Sequence, residues 1–383
     1  MLFSFVFLSL CTLATSVETV WNNDRQVVDI DCKLYKDLVN ESALNFGELQ
    51  KNNSLYPLAL HSISLNECNV TSVRPNFLED LVNLYAFQLT LNPYLDTLHS
   101  MTFRNNGNLK RLVLSDNVIK NIPEELFRCD ACPMSNFDVE YLDLSENDIE
   151  TLHPSTFSKL PSLETLLLND NNIKMLQSSQ FSGLGSLETL DIASNEISVL
   201  DPSTLMDLPS LRHLDVSSNS LVQIWSNMFS ASMRQNLEYL DFSVNEIETI
   251  DEGAFVGMIQ LEHLHLSNNK ITDVSVLFVS FPKLISLDLS YNEITSIESM
   301  QNLNAPELMR LDFSNNALIE VVGSELVSLD NNTQLNFEAN SITTVDLEGV
   351  WIKTMSFEKN QISVVKSLPG CDRYVVVCFV IEY

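Results

Sequence analysis

Two short stretches carry residue types that do chemistry. RCDACPMSNF sets Cys129 and Cys132 at the spacing of a redox CxxC, or of half a zinc site. No second CxxC follows it, so the pair reads as a disulfide-stiffened loop and a secondary candidate for contacts. In LRHLDV, LEYLDF and LEHLHL, leucines alternate with His213, Asp215, Tyr239, Asp241, His263 and His265. Alternation on a strand puts the polar set on one face, where neighbouring carboxylates favour imidazolium and a pH-sensitive contact. Flat strand spacing does not converge four ligands on one point, so no metal is expected. The chain has no Gly-rich phosphate loop, nucleophile elbow or HExxH, and neither an enzyme nor a cofactor is expected.

These stretches belong to a longer pattern. LEYLDFSVNEIETI (237–250), LEHLHLSNNKITDV (261–274) and LISLDLSYNEITSI (284–297) rewrite one template, LxxLxLxxNxL. Its asparagine slot falls at Cys68, Asn92, Asn117, Asn147, Asn171, Asn195, Asn219, Asn245, Asn269, Asn292, Asn316, Asn340 and Asn360, giving twelve or thirteen units. The step is 24 residues seven times, with single steps of 25, 30, 26, 23 and 20; the longest holds the two cysteines. The leucine-type positions point inward from a short strand. The chain then bends while still buried, and an asparagine that both donates and accepts can bond the neighbouring turns as a ladder. Phe127, Phe157, Phe181, Phe229 and Phe255 each stand ten residues after their asparagine and line the far side of the core. Burying the apolar side chains of one unit yields roughly 10–20 kcal/mol, while ordering its 24 residues costs at least as much at about 1–2 kcal/mol each. Stacking supplies the missing burial, so the units form a solenoid.

This pattern resembles the leucine-rich repeat family in its 24-residue extracellular form. The resemblance implies an α/β-type solenoid with a curved parallel β-sheet on the concave face and irregular or short helical segments on the convex side. Within the family, the apolar leader, the glycan sites and the Phe spine are similar to Toll-type receptor ectodomains and to secreted insect leucine-rich immune proteins. Two departures stand out: only KSLPGCDRYVVVCFVIEY follows the last unit, where such ectodomains carry a longer cysteine-rich cap, and no coiled coil follows the repeats.

Read column by column, the centre of LxL carries Asp143, Asp191, Asp215, Asp241, Asp288 and Asp312, with His265 between Asp241 and Asp288. The column beside it carries His213, Tyr239 and His263. The aspartates either keep the sheet soluble or make an acidic surface for a basic protein patch. On the second reading the candidate binding face is Asp143, Asp191, Asp215, Asp241, His263, His265, Asp288 and Asp312. The whole chain has 51 Asp and Glu against 21 Lys and Arg, a formal −30. Phosphate contacts need many cations, and Lys110–Arg111 is a lone basic pair on the inner face, which argues against nucleic acid and anionic lipid. A cationic protein is the expected partner, associating more slowly as salt rises.

The first sixteen residues, MLFSFVFLSLCTLATS, are uncharged and apolar, with Ala14 and Ser16 at the −3 and −1 positions of a secretory cleavage site. No later stretch approaches the ~20 apolar residues of a membrane span. Secretion is expected, and the sequons at Asn40, Asn52, Asn69 and Asn331 fit that route. Six cysteines remain after the leader: Cys32, Cys68, Cys129, Cys132, Cys371 and Cys378. Cys68 is either an ordinary ladder substitute or bonded to Cys32. Cys371 and Cys378 either bridge locally or leave an apolar C-terminal edge for a homo- or hetero-oligomer. The expected organisation is a signal peptide at 1–16, an N-terminal capping region at 17–57, repeats at 58–366, and a short C-terminal segment at 367–383 that caps the edge. The expected function is a secreted, non-enzymatic protein-binding scaffold, with innate immunity implied by the resemblance; constitutive adhesion or matrix scaffolding is the alternative.

Overall fold

A computed structural model of the chain describes residues 60–367 except 69, 74–77, 129–136 and 353, with the backbone of 17–22, 25–31, 43–44 and 376–378. Residues 1–16, Cys32, Cys129, Cys132, Cys371 and the sequon residues Asn40, Asn52 and Asn69 lie outside the described residues. Among the described residues the main sheet has sixteen strands, and its spatial order follows the chain. Val17–Asn22 pairs antiparallel with Arg25–Asp31, and every later neighbour is parallel, as far as Val376–Cys378 beside Thr354–Ser356. Most repeats contribute three residues, such as Thr189–Asp191, His213–Asp215, Tyr239–Asp241 and His263–His265.

The strands are short because the chain turns as soon as its inward leucines are buried. Leu237, Leu240, Phe242 and Ile247 of one unit are fully buried, and their equivalents repeat along a single core. Phe127, Phe157 and Phe181 form a spine, with ring centroids 6.2 and 6.4 Å apart, and Phe229 meets Phe255 at 6.4 Å. A second spine, Phe313–Phe337–Phe357, runs at 5.8 and 5.2 Å behind the last strands.

At the strand exit the asparagine ladder forms. Asn245 Nδ2 is shared among the carbonyls of Phe242 (3.1 Å), Ser243 (3.2 Å) and, in the preceding unit, Val216 (3.0 Å). Its Oδ1 accepts the N–H of Leu221 in that preceding unit at 3.0 Å. Asn147, Asn171, Asn195, Asn269, Asn292, Asn316 and Asn340 repeat the arrangement. Cys68 holds the slot of the first unit; it is disulfide-bonded and its N–H still donates to Asn92 Oδ1, while Cys32, the partner expected from the sequence, lies outside the described residues.

The residue just before each slot is left-handed. Thirteen positions from Glu67 to Lys359 have φ between 51° and 58°, Val244 and Tyr291 among them. No glycine fills these positions, so the ladder holds side chains in a conformation that costs about 1–2 kcal/mol each.

Behind the sheet the chain is irregular or briefly helical, as the family pattern implies: Pro202–Thr204, Ser275–Leu277 and Met300–Asn302 are 3-10 turns and Ala231–Asn236 is a short α-helix. That helix fits inside the 26-residue unit. Its Arg234 guanidinium donates to carbonyls of Phe229, Ser226, Gly253, Ala254 and Val256, tying the unit to its successor.

Asn245→Ala takes the partner of the buried Leu221 N–H and one of the two hydrogen bonds at each of three carbonyls, and is expected to cost about 3 kcal/mol. Val244→Gly, at a half-exposed left-handed position, is expected to raise stability by about 1 kcal/mol. Urea unfolding of the two variants beside the parent measures both.

Candidate recognition face

The open face of the sheet is built from side chains that alternate with the buried leucines. Backbone pairing sets them in columns: Asp191 opposite Asp215, Asp215 opposite Asp241, Asp241 opposite His265, His265 opposite Asp288, and Asp288 opposite Asp312. His213, Tyr239 and His263 align in the same way.

Each column aspartate also has a local task. One carboxylate oxygen of Asp143, Asp191, Asp215, Asp241, Asp288 and Asp312 accepts the N–H of the residue two positions on, at 2.8–3.0 Å. Asn336 does the same for Glu338 at 3.1 Å. The recurrence of aspartate therefore has a structural cause at the strand exit, beyond solubility or recognition. The D-x-S spacing carried that signal in the sequence for all of these aspartates but Asp191, which is followed by Ile192 and Ala193.

Close packing raises the electrostatic stakes. Burial pushes the Asp191 carboxyl up to about 6, against the N–H of Ala193, and Asp215, Asp170 and Asp241 add to the rise. Burial raises Asp215 too. Tyr239 donates its hydroxyl to Asp241 Oδ2 at 3.0 Å, and burial beside these carboxylates makes its phenol harder to ionise. Around it lie His213 (6.2 Å between ring centroids), His263 (6.2 Å) and His265 (5.5 Å), and the last two stack 6.3 Å apart. Among the described residues, no group of three or more His, Cys, Asp and Glu side chains could hold a metal.

A third column escaped the sequence reading: Glu140, Glu164, Glu188, Glu238 and Glu262, interrupted by Arg212. Arg212 lies between Glu188 and Glu238. The basic pair Lys110–Arg111 is likewise occupied. Lys110 bridges Asp138 (2.5 Å) and Glu140 (2.7 Å), and the Arg111 guanidinium lies 3.7 Å over the Tyr141 ring. The L-E that opens four of the units, at 163–164, 187–188, 237–238 and 261–262, was the available signal for these glutamates.

Of the sequons, Asn331 is described and exposed, while its Thr333 is buried and donates to the Leu308 carbonyl at 2.8 Å.

Family models agree with this geometry. The leucine rich repeat model matches residues 134–173, 161–221 and 228–271, the two-copy leucine rich repeats model matches 259–305, and the BspA type leucine rich repeat region matches 50–141. This chain belongs to the leucine-rich repeat family. No curated protein matches its sequence. Its solenoid is similar to that of the Toll–Spatzle complex of Drosophila, at 22% identity over 79% of this chain and 41% of that one, TM-score 0.69. It is also similar to the LRIM1/APL1C complex, at 21% identity, 92% and 61% coverage, TM-score 0.67. The leucine-rich repeat domain of APL1B follows, at 24% identity, 76% and 81% coverage, TM-score 0.58. At these identities the likeness is one of fold, and this leucine-rich repeat chain spans less than half of the Toll chain. Family and fold are those of interaction scaffolds, and no helix among the described residues is long and apolar enough to cross a membrane.

Unfolded, Asp191 titrates near about 4; folded, it holds its proton to about 6. Ionising it therefore weakens the folded state progressively as pH rises from about 4 to about 6, with no penalty below. Asp191→Asn keeps an oxygen for the Ala193 N–H. It is expected to be more stable than the parent by about 1 kcal/mol at neutral pH, after allowance for solvent screening. Thermal melts across pH measure this, and the two curves are expected to converge near pH 4.

Proposed function

We propose that this chain is a secreted, non-enzymatic scaffold that recognises a protein with a basic patch through the acidic open face of its sheet, in innate immune recognition. One observation carries the reading: Asp191, Asp215 and Asp241 stand in register on adjacent strands beside a cluster of one tyrosine and three histidines. Carboxylates pressed together by burial gain most from an incoming cation, and the rings offer contact area at small entropic cost.

Partner class follows from charge. With a formal −30, and with Lys110, Arg111 and Arg212 engaged within the face, the surface has little to offer a phosphate backbone. Toll with Spatzle and LRIM1 with APL1C are protein complexes on this fold, and they support a protein partner. TLR13 with ssRNA13 is the contrary example on the same fold. Secretion is supported by the uncharged apolar residues 1–16 and by the sequons, and the disulfide at Cys68 fits an oxidising compartment. The immune role rests on the likeness to Toll and to LRIM1/APL1C.

Affinity capture from the source's extracellular fluid tests the reading. One bait is the mature chain. The other carries Asp215→Asn, Asp241→Asn, Asp288→Asn and His265→Ala, where asparagine preserves the turn hydrogen bonds that alanine would remove. A protein held by the first bait and reduced at least tenfold on the second is expected. Equal retention by both, with both baits folded, contradicts the acidic face as the binding surface.

A further inference from the structure

Within the acidic face one cavity differs from the rest. It has a volume of about 300 Å³ and is lined by Leu167, Thr189, Asp191, His213, Asp215 and Tyr239 among others. Leu167 occupies the column where its neighbours on both sides are aspartates, and it pairs in register with Asp191. The cavity thus has an aliphatic wall at one end, the rings of His213 and Tyr239 along the adjacent column, and two carboxylates on neighbouring strands between them.

Elsewhere on this face the chain shows how such elements are used. Lys110 sits between Asp138 and Glu140, and Arg212 sits between Glu188 and Glu238, so each of these cations is bracketed by two carboxylates. Arg111 lays its guanidinium on the face of Tyr141, the tyrosine of the same column as Tyr239. Asp191 and Asp215 likewise offer two carboxylates to one cation, here on immediately adjacent strands, beside the same kind of ring. Each uses one oxygen on the N–H two residues on. Among the described residues, no lysine or arginine pairs with either of them.

We infer that this cavity receives one arginine side chain of the protein partner, its guanidinium between Asp191 and Asp215 and against the Tyr239 ring, its aliphatic stem along Leu167. Arginine fits better than lysine. A planar fork engages two carboxylates on adjacent strands and stacks on an aromatic face, whereas an ammonium is a compact, strongly hydrated point charge. The inference rests on the proposed protein-binding role and narrows it to a single anchor, with the surrounding glutamates acting as a wider field that steers the approach.

The probe is the peptide acetyl-Gly-Arg-Gly-amide, titrated into the full chain at neutral pH while the ring resonances of His213 and Tyr239 are followed by NMR. Its citrulline counterpart keeps the shape and the stem but removes the charge. Saturable shifts are expected with the arginine peptide, at least tenfold weaker with citrulline, weaker with the lysine peptide, and weakened at least tenfold by Asp191→Asn with Asp215→Asn. Asn336, which makes the same turn contact as the aspartates, indicates that these substitutions preserve the fold; a thermal melt checks it, and Asp215→Asn alone carries the comparison should the double variant melt early. Asp288→Asn with Asp312→Asn, in the same column but outside the cavity, is expected to weaken the titration no more than about threefold, through loss of field alone. Equal weakening by both double variants, equal binding of citrulline, or no saturation overturns the inference. The capture experiment separates the two levels. A partner lost on the concave-face bait but indifferent to Asp191→Asn with Asp215→Asn sinks the anchor and leaves the broader reading standing. A partner indifferent to both sinks the broader reading as well.

Discussion

Every turn of this solenoid must leave the sheet while its peptide groups are still shielded from water, and an asparagine side chain at that corner answers the carbonyls that no strand reaches. Its amide spans two units, donating to its own turn and the one before, and its oxygen accepts an N–H from the earlier unit. A buried carbonyl or N–H without a partner costs about 1–3 kcal/mol. Recurring at nearly every repeat, the ladder outweighs the left-handed strain of the residue before it. It also keeps successive units in register, so strands of only three residues hold together across a sheet of sixteen.

The recognition surface follows from the same constraint. With the leucines buried and the corner occupied, only the outward residues of LxxLxLxx are free to vary, and the register delivers them as straight columns. The aspartates serve both parts: one oxygen steadies the turn two residues on, and the other adds to a field along the face. A charge placed there for a structural reason is available for recognition: burial, with smaller additions from Asp215, Asp170 and Asp241, raises the Asp191 carboxyl, and an incoming cation would favour its ionised form.

Much of the fold could be read from the chain, because leucine spacing and the asparagine slot are local, periodic signals. The slot positions, the buried Phe spine, the alignment of His213 with Tyr239 and His263, and the short convex elements all appear as expected. Other features depend on contacts between units, which periodicity does not report. Arg234 looks like an ordinary surface cation until its five carbonyl partners in this unit and the next are visible. Lys110 and Arg111 look like a free basic pair until Asp138, Glu140 and Tyr141 are found around them. The turn contact of five of the six aspartates was encoded in D-x-S, Asp191 being the exception, but is indistinguishable by composition from a soluble surface. The cavity beside Leu167 required the depth of the face as well as its sequence.

The central claim is that an acidic, pre-organised face attracts a cationic protein. The most direct measurement is the association rate of the captured partner with the full chain across roughly 0.05–0.5 M salt. The account predicts a rate that falls steeply as salt rises, with dissociation changing much less. A rate indifferent to salt would contradict it, because recognition would then owe nothing to the charge on this face.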